Sequence, residues 1–205
     1  FVPVCWMATE DHDFEEINYF NFNGKKIRWN KKASGAVGEL STEGLQDVLE
    51  VFSQELGLGN NANKLKQWFE KAYLKHSNLA EATLFLANQL FKDYGLVIVD
   101  ANHKKLKQLF VPYIEKELVE QTSFNKVMQT NAEIEKTSEN YKIQVNPREI
   151  NLFYIGENLR ERIVFEDETY SVLNTNITWT TPEIKEEIKH PPERFSPNVI
   201  FRPLY

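Results

Sequence analysis

Two short runs of uninterrupted apolar residues constrain this chain more than anything else in it. Val2 to Met7 and Leu96-Val97-Ile98-Val99 are short and apolar throughout. Such runs are the pattern of strands buried on both faces, as in a parallel sheet. Each is followed by a polar cluster able to start a helix. Thr9 with Glu10-Asp11-His12-Asp13 follows the first, and Asp100 with Asn102-His103-Lys104-Lys105 follows the second. Thr9 is the expected N-cap, and the acids suit the positive end of a helix dipole. The two strands are therefore predicted to lie parallel in one sheet, with their carboxyl ends on the same side. Neither run approaches the length needed to span a bilayer.

The stretch between them reads as a hairpin and three helices. Ile17 to Trp29 alternates around Asn23-Gly24, the strongest hairpin signal in the chain. Helices are predicted over Thr42–Leu56, Ala62–Lys75 and Leu79–Tyr94, the last capped by Ser77 or Asn78 and stopped by Gly95. After the second strand a long helix from about Asn102 to Lys136 is expected to bend at Pro112. From Tyr141 the pattern becomes short and alternating. Strands are predicted at Tyr141–Val145, Ile150–Ile155, Arg160–Glu166 and Tyr170–Leu173, followed by a short helix opened by Thr181-Pro182-Glu183 and a last strand, Val199–Phe201. The expected fold class is α/β, a parallel-sheet core carrying a helical insertion and a small antiparallel β insertion. Residues 1–140 form part of the core with the helical insertion, 141–180 the antiparallel insertion, and 181–205 the return to the core.

Composition narrows the partners. With 24 basic and 30 acidic residues the net charge is −6, so nucleic acid is not an expected partner, and no membrane is expected either. The single cysteine, Cys5, excludes an internal disulfide framework and a Cys-rich zinc site, which fits a reducing cytoplasm. The chain opens on an apolar run, Phe1 to Met7, and stops soon after another. It is expected to be a piece of a longer protein.

Glu10-Asp11-His12-Asp13 is the sharpest chemical constellation. Ligands of open parallel sheets bind at the carboxyl ends of strands. Carboxylates around one imidazole favour its charged form, so His12 could serve as general acid or base, or help grip substrate amines. The bland alternative is an acid-rich helix start. A metal alternative places His12 and Glu16 on one helix face with Asp13 adjacent. Asp100, at the end of the second strand, could bind a ribose hydroxyl or an amine. Ser196, Asn198 and Arg202 flank the final strand, and Arg202 could hold a carboxylate through a bidentate pair.

Two segments resemble a known family. Residues 3–16, Pro3-Val4-Cys5-Trp6-Met7-Ala8-Thr9-Glu10-Asp11-His12-Asp13-Phe14-Glu15-Glu16, are similar to the "PVFW-A-EDHD--E" segment of the bacillithiol-biosynthesis cysteine-adding ligases. Residues 192–205, Pro192-Glu193-Arg194-Phe195-Ser196-Pro197-Asn198-Val199-Ile200-Phe201-Arg202-Pro203-Leu204-Tyr205, are similar to that family's "PE-FSPNV--RPLYQ" segment. Gly35-Ala36-Val37-Gly38 and Gly95 to Asp100 match weaker patterns between them. The resemblance implies a Rossmann-like core of the class I aminoacyl-tRNA synthetase kind. It implies a reaction joining cysteine to glucosaminyl malate, with the carboxyl activated by ATP. Asp11, His12 and Asp13 become the expected catalytic residues. Trp6, Glu10, Asp100, Ser196, Asn198 and Arg202 become expected substrate contacts, with no metal ligand assigned and metal binding left open. The parent is expected to dimerise through a coiled coil absent here. The phosphate-holding segment is also expected to lie outside this chain, leaving these residues alone inactive. A non-catalytic α/β binding module, or a metal-dependent hydrolase using the Glu10–Asp13 cluster, stands as the alternative.

Overall fold

A computed structural model describes residues 1–137 and 141–201. They form two compact units, Phe1–Ala101 and Asn102–Tyr205.

The first unit runs β1 (Val4–Met7), α1 (Phe14–Ile17), β2 (Tyr19–Phe22), β3 (Lys25–Arg28), α2 (Leu45–Leu56), α3 (Ala62–Tyr73), α4 (Leu79–Phe91) and β4 (Val97–Asp100). β1 and β4 pair in parallel, from Val4 opposite Val97 to Met7 opposite Asp100, as the two apolar runs predict. β2 and β3 form the hairpin, turning through Asn23 and Gly24 at φ of 48° and 75°. Positive φ at both central residues is what a type I′ turn requires. The core lies under this hairpin, where the Phe52 ring meets Phe20 and Phe22 edge-on and also packs against Phe69. Asn78 caps α4 by accepting a hydrogen bond from the Glu81 amide at 2.9 Å.

Two expectations fail in this unit. β1 is not buried on both faces: Val4 is 58% and Trp6 57% exposed, and Met7 alone in the strand is buried. Among the described residues β1 pairs with β4 alone, and a two-stranded ribbon leaves most of its side chains uncovered. Nor does a helix start after Thr9. It starts at Phe14 with Asp13 as N-cap, because the intervening residues form a turn that pairs with a distant segment.

The second unit runs α5 (Lys104–Glu120), α6 (Thr122–Thr137), β5 (Leu152–Gly156), β6 (Leu159–Glu166), β7 (Thr169–Val172), β8 (Thr178–Trp179), α7 (Thr181–Glu187) and β9 (Phe195–Pro197). The five strands make an antiparallel sheet in the order β8-β7-β6-β5-β9. Its core packs Ile114 and Leu118 of α5 and Ile184 of α7 with Leu152, Ile163 and Phe195 of the sheet.

The long helical stretch keeps Pro112 inside α5 and breaks instead at Gln121, where φ is 51°. The buried Glu117 carboxylate explains the break, since it accepts from the Ser123 amide at 2.8 Å and so caps the start of α6. Residues 141–145 form no strand. The last strand is Phe195–Pro197 rather than Val199–Phe201, because Asn198 Oδ1 accepts from the Ile200 and Phe201 amides and turns the chain there. No helix among the described residues is long and apolar enough to cross a membrane.

Tyr170 ties this core to α5, its hydroxyl donating to the Leu118 carbonyl at 3.1 Å. Burial pushes its pKa above the ordinary 10, against weaker opposing effects of Thr181 and Lys185. The folded state thus favours the neutral phenol, so this stabilisation is full below pH ~10 and is lost as pH rises beyond it. Tyr170→Phe should cost about 1 kcal/mol at neutral pH and reduce the alkaline loss, as read from urea denaturation midpoints across pH. An unchanged midpoint would remove that role.

Candidate functional site

The carboxyl end of β1 is held by partners far away in sequence. Met7 is buried opposite Asp100, and its carbonyl accepts from the Ala101 amide at 3.4 Å. Beyond it, the chain turns back on itself through a 3.1 Å bond from the Asp11 amide to the Ala8 carbonyl. The Thr9 hydroxyl donates to Asp100 Oδ1 at 2.5 Å, tying the end of one strand to the end of the other. Residues 36–38 then dock against the turn. The Gly38 amide donates to the Thr9 carbonyl at 2.8 Å and the Val37 amide to the Asp11 carbonyl at 2.7 Å. Only a glycine fits at 38, since a Cβ there would lie 2.5 Å from Thr9 Cβ and 2.8 Å from the Thr9 carbonyl oxygen.

This clamp presents Asp11, His12 and Asp13 together. Their side chains are 44%, 54% and 53% exposed, whereas the neighbouring Glu10 is only 1% exposed. The imidazole stands between two carboxylates, with Nδ1 3.3 Å from Asp11 Oδ1 and Nε2 3.7 Å from Asp13 Oδ1. Asp11 also accepts from the His12 amide at 2.8 Å, which fixes its carboxylate beside the ring. Single ligand atoms of the three residues lie within 4.8 Å of one another, so they could share a cation. The metal alternative through Glu16 fails for a simple reason: His12 precedes α1, so no helix face joins the two.

An open groove of about 500 Å³ adjoins the cluster, lined by His12, Asp13, Glu15, Glu16, Lys31 and Lys32 among others. Glu15 is engaged by Arg28 at 2.5 Å, and Lys31 by the Ser41 carbonyl at 2.7 Å and the face of Trp29. The groove thus offers both signs of charge, which suits a ligand carrying an amine and a carboxylate. The two lysines carried no sequence signal. Gly38 did, in the weak Gly35–Gly38 pattern, although its pairing with Thr9 is invisible locally.

The other expected residues fall in both units. Trp6 lies exposed on β1, and Asp100 is engaged by Thr9. Ser196 and Asn198 belong to the second unit, where Ser196 is wholly buried. Asn198 Nδ2 donates to Asn151 Oδ1 at 3.0 Å while its own Oδ1 holds the following turn, so its polar atoms serve the fold. Arg202 lies outside the described residues.

Thr9→Val should expose how much the strand-end clamp contributes. The valine keeps the shape but leaves Asp100 without the hydroxyl. Loss of a hydrogen bond to a charged group costs about 1.5–3 kcal/mol, and a cycle with Asp100→Ala, which removes the acceptor, should show coupling of that order. Additive effects in urea denaturation would show the contact to be inert.

The family model described as "Bacillithiol biosynthesis BshC, N-terminal Rossmann-like domain" matches residues 1–205. A protein named "Putative cysteine ligase BshC" from Flavobacterium johnsoniae is 62% identical over the whole chain, which covers 38% of that relative. Proteins of the same name from Flavobacterium psychrophilum and Cytophaga hutchinsonii are 57% and 46% identical over the whole chain, which covers 38% and 37% of them. The chain therefore spans less than two fifths of the length of these relatives. Full coverage by the family model, with these identities, leads to one conclusion: this chain belongs to the bacillithiol biosynthesis BshC family, its residues matching that family's N-terminal Rossmann-like domain.

Proposed function

We propose that this chain supplies the acid–base turn of a ligase that joins the carboxyl of cysteine to the amine of glucosaminyl malate. The observation that carries the reading is the His12 ring set between Asp11 and Asp13 at the carboxyl end of β1. An amine nucleophile is protonated at neutral pH and must lose a proton to attack a carboxyl carbon. His12 takes that proton at whichever ring nitrogen faces the amine, and the flanking carboxylates orient the ring. Asp13 and Glu16 in the groove meet the incoming ammonium, and Lys32 meets a malate carboxylate.

Formation of the amide also requires an activated carboxyl, and the reading assigns that to ATP by likeness to the class I aminoacyl-tRNA synthetases. The chain contains neither G-x-G-x-x-G nor a P-loop, so these residues offer the phosphates no cradle of that kind. The nucleotide's phosphates are accordingly assigned to other parts of the longer protein, as is dimerisation through a coiled coil. The reading places the enzyme in the cytoplasm.

Reconstitution tests it. The longer protein, given cysteine, glucosaminyl malate and ATP, should form bacillithiol by mass spectrometry, and omission of any one should stop it. Turnover without cysteine, or none with all three, would contradict the reading.

A further inference from the structure

The second unit holds a pocket of about 300 Å³ between Phe124 of α6, the 147–150 segment and β6. Its chemistry is unlike that of the His12 groove. Arg162 of β6 lines it, and Arg162 Nε is shielded from solvent with no hydrogen-bond acceptor among the described residues. The nearby Arg160 is engaged differently, its guanidinium lying over the Phe153 ring at 3.9 Å. A guanidinium has five N–H donors and no acceptor. Leaving a shielded donor unmade is costly, so the side chain gains by turning that donor towards an acceptor that enters the pocket.

A second guanidinium comes from a segment fixed in place. Arg148 lines the pocket, and both polar groups of its backbone are held by one side chain. Its amide donates to Asn151 Oδ1 at 3.2 Å, and its carbonyl accepts from Asn151 Nδ2 at 2.7 Å. Asn151 is itself wholly buried and anchored on the buried Glu117, 3.2 Å away. The segment is therefore set before any ligand arrives, which lowers the ordering cost of binding. Phe124, Phe165 and Ile150 supply apolar wall, where charge pairing is stronger than in open water. Glu149 and Glu166, both exposed, also line the pocket and oppose a heavily charged ligand.

We propose that this pocket is an oxyanion site, taking one carboxylate or phosphate group on Arg162 with help from Arg148. The two acids keep the affinity modest, with Kd on the order of millimolar. The guanidinium fork meets two oxygens of the group at once, and this bidentate geometry selects an oxyanion over chloride.

Titration of the 205-residue chain with sodium phosphate and, separately, sodium acetate tests this, with sodium chloride at matched ionic strength as the reference. The readout is the Arg162 Nε–Hε signal in ¹⁵N NMR. It should shift saturably with at least one of the two anions and not with chloride. Phosphate alone, acetate alone or both would identify the group the site takes. Arg162→Gln should abolish binding, and Arg148→Gln, at an exposed position, should weaken it at least about fivefold without unfolding the unit. No saturable shift with either anion, or the same shift with chloride, would overturn the proposal. So would binding that is undiminished in Arg148→Gln.

Discussion

In the longer protein, His12→Ala should reduce bacillithiol formation by about a hundredfold or more while leaving the fold intact. Removing a positioned acid–base group typically costs 10²–10⁴ in rate. The His12 side chain is 54% exposed, so its loss opens no core cavity, and such surface changes usually move stability by about 0.5 kcal/mol or less. Asp11→Asn makes a finer probe. The amide oxygen can still accept from the His12 backbone, so the turn survives, but the charge beside Nδ1 is gone. Activity should fall with the denaturation midpoint unchanged. If both variants unfold as they lose activity, the cluster is a structural turn. If both keep normal turnover, it has no catalytic part.

Gly38→Ala should do the opposite and damage fold and function together. The added Cβ would sit 2.5 Å from Thr9 Cβ and 3.0 Å from Thr9 Cα. Backbone cannot yield as a flexible side chain does, so the two segments must separate and the 2.8 Å bond from the Gly38 amide to the Thr9 carbonyl must lengthen. Overpacking of this kind costs about 1–3 kcal/mol. The displacement reaches Thr9, hence Asp100, and hence the turn carrying His12. Gly24→Ala is the control: nothing lies within 4 Å of its would-be Cβ, so only the φ of +75° opposes it. That penalty is on the order of 1 kcal/mol and stays in the hairpin. A Gly38→Ala midpoint no lower than that of Gly24→Ala would refute the clamp.

What was legible in the sequence was local. Apolar continuity marked β1 and β4, and polar clusters after each marked the shared carboxyl edge on which they now lie parallel. Asn23-Gly24 marked the hairpin because few residue pairs tolerate two positive φ values. Asp11, His12 and Asp13 were legible as a cluster because three adjacent residues need little folding to come together. What was missed depended on distant partners. Apolar continuity shows that a strand prefers burial but does not show what covers it, so the exposure of Val4 and Trp6 was hidden. The acids after Thr9 resemble a helix start, but Val37 and Gly38 claim the Asp11 and Thr9 carbonyls and delay the helix to Phe14. Glu10 looks like its three neighbours in sequence and is nevertheless buried. Asn198 reads as a candidate ligand contact until Asn151 and the amides of Ile200 and Phe201 are seen to occupy it.

The central claim is that substrate meets the protein at the His12 turn, and histidine NMR on the longer protein tests it most directly. The His12 ring signals, assigned by their loss in His12→Gln, should shift saturably as glucosaminyl malate is added, while those of His76, whose Nδ1 lies 2.9 Å from the Lys71 and Ala72 carbonyls, stay fixed. A protein that turns over substrate with unmoved His12 signals would place the chemistry elsewhere.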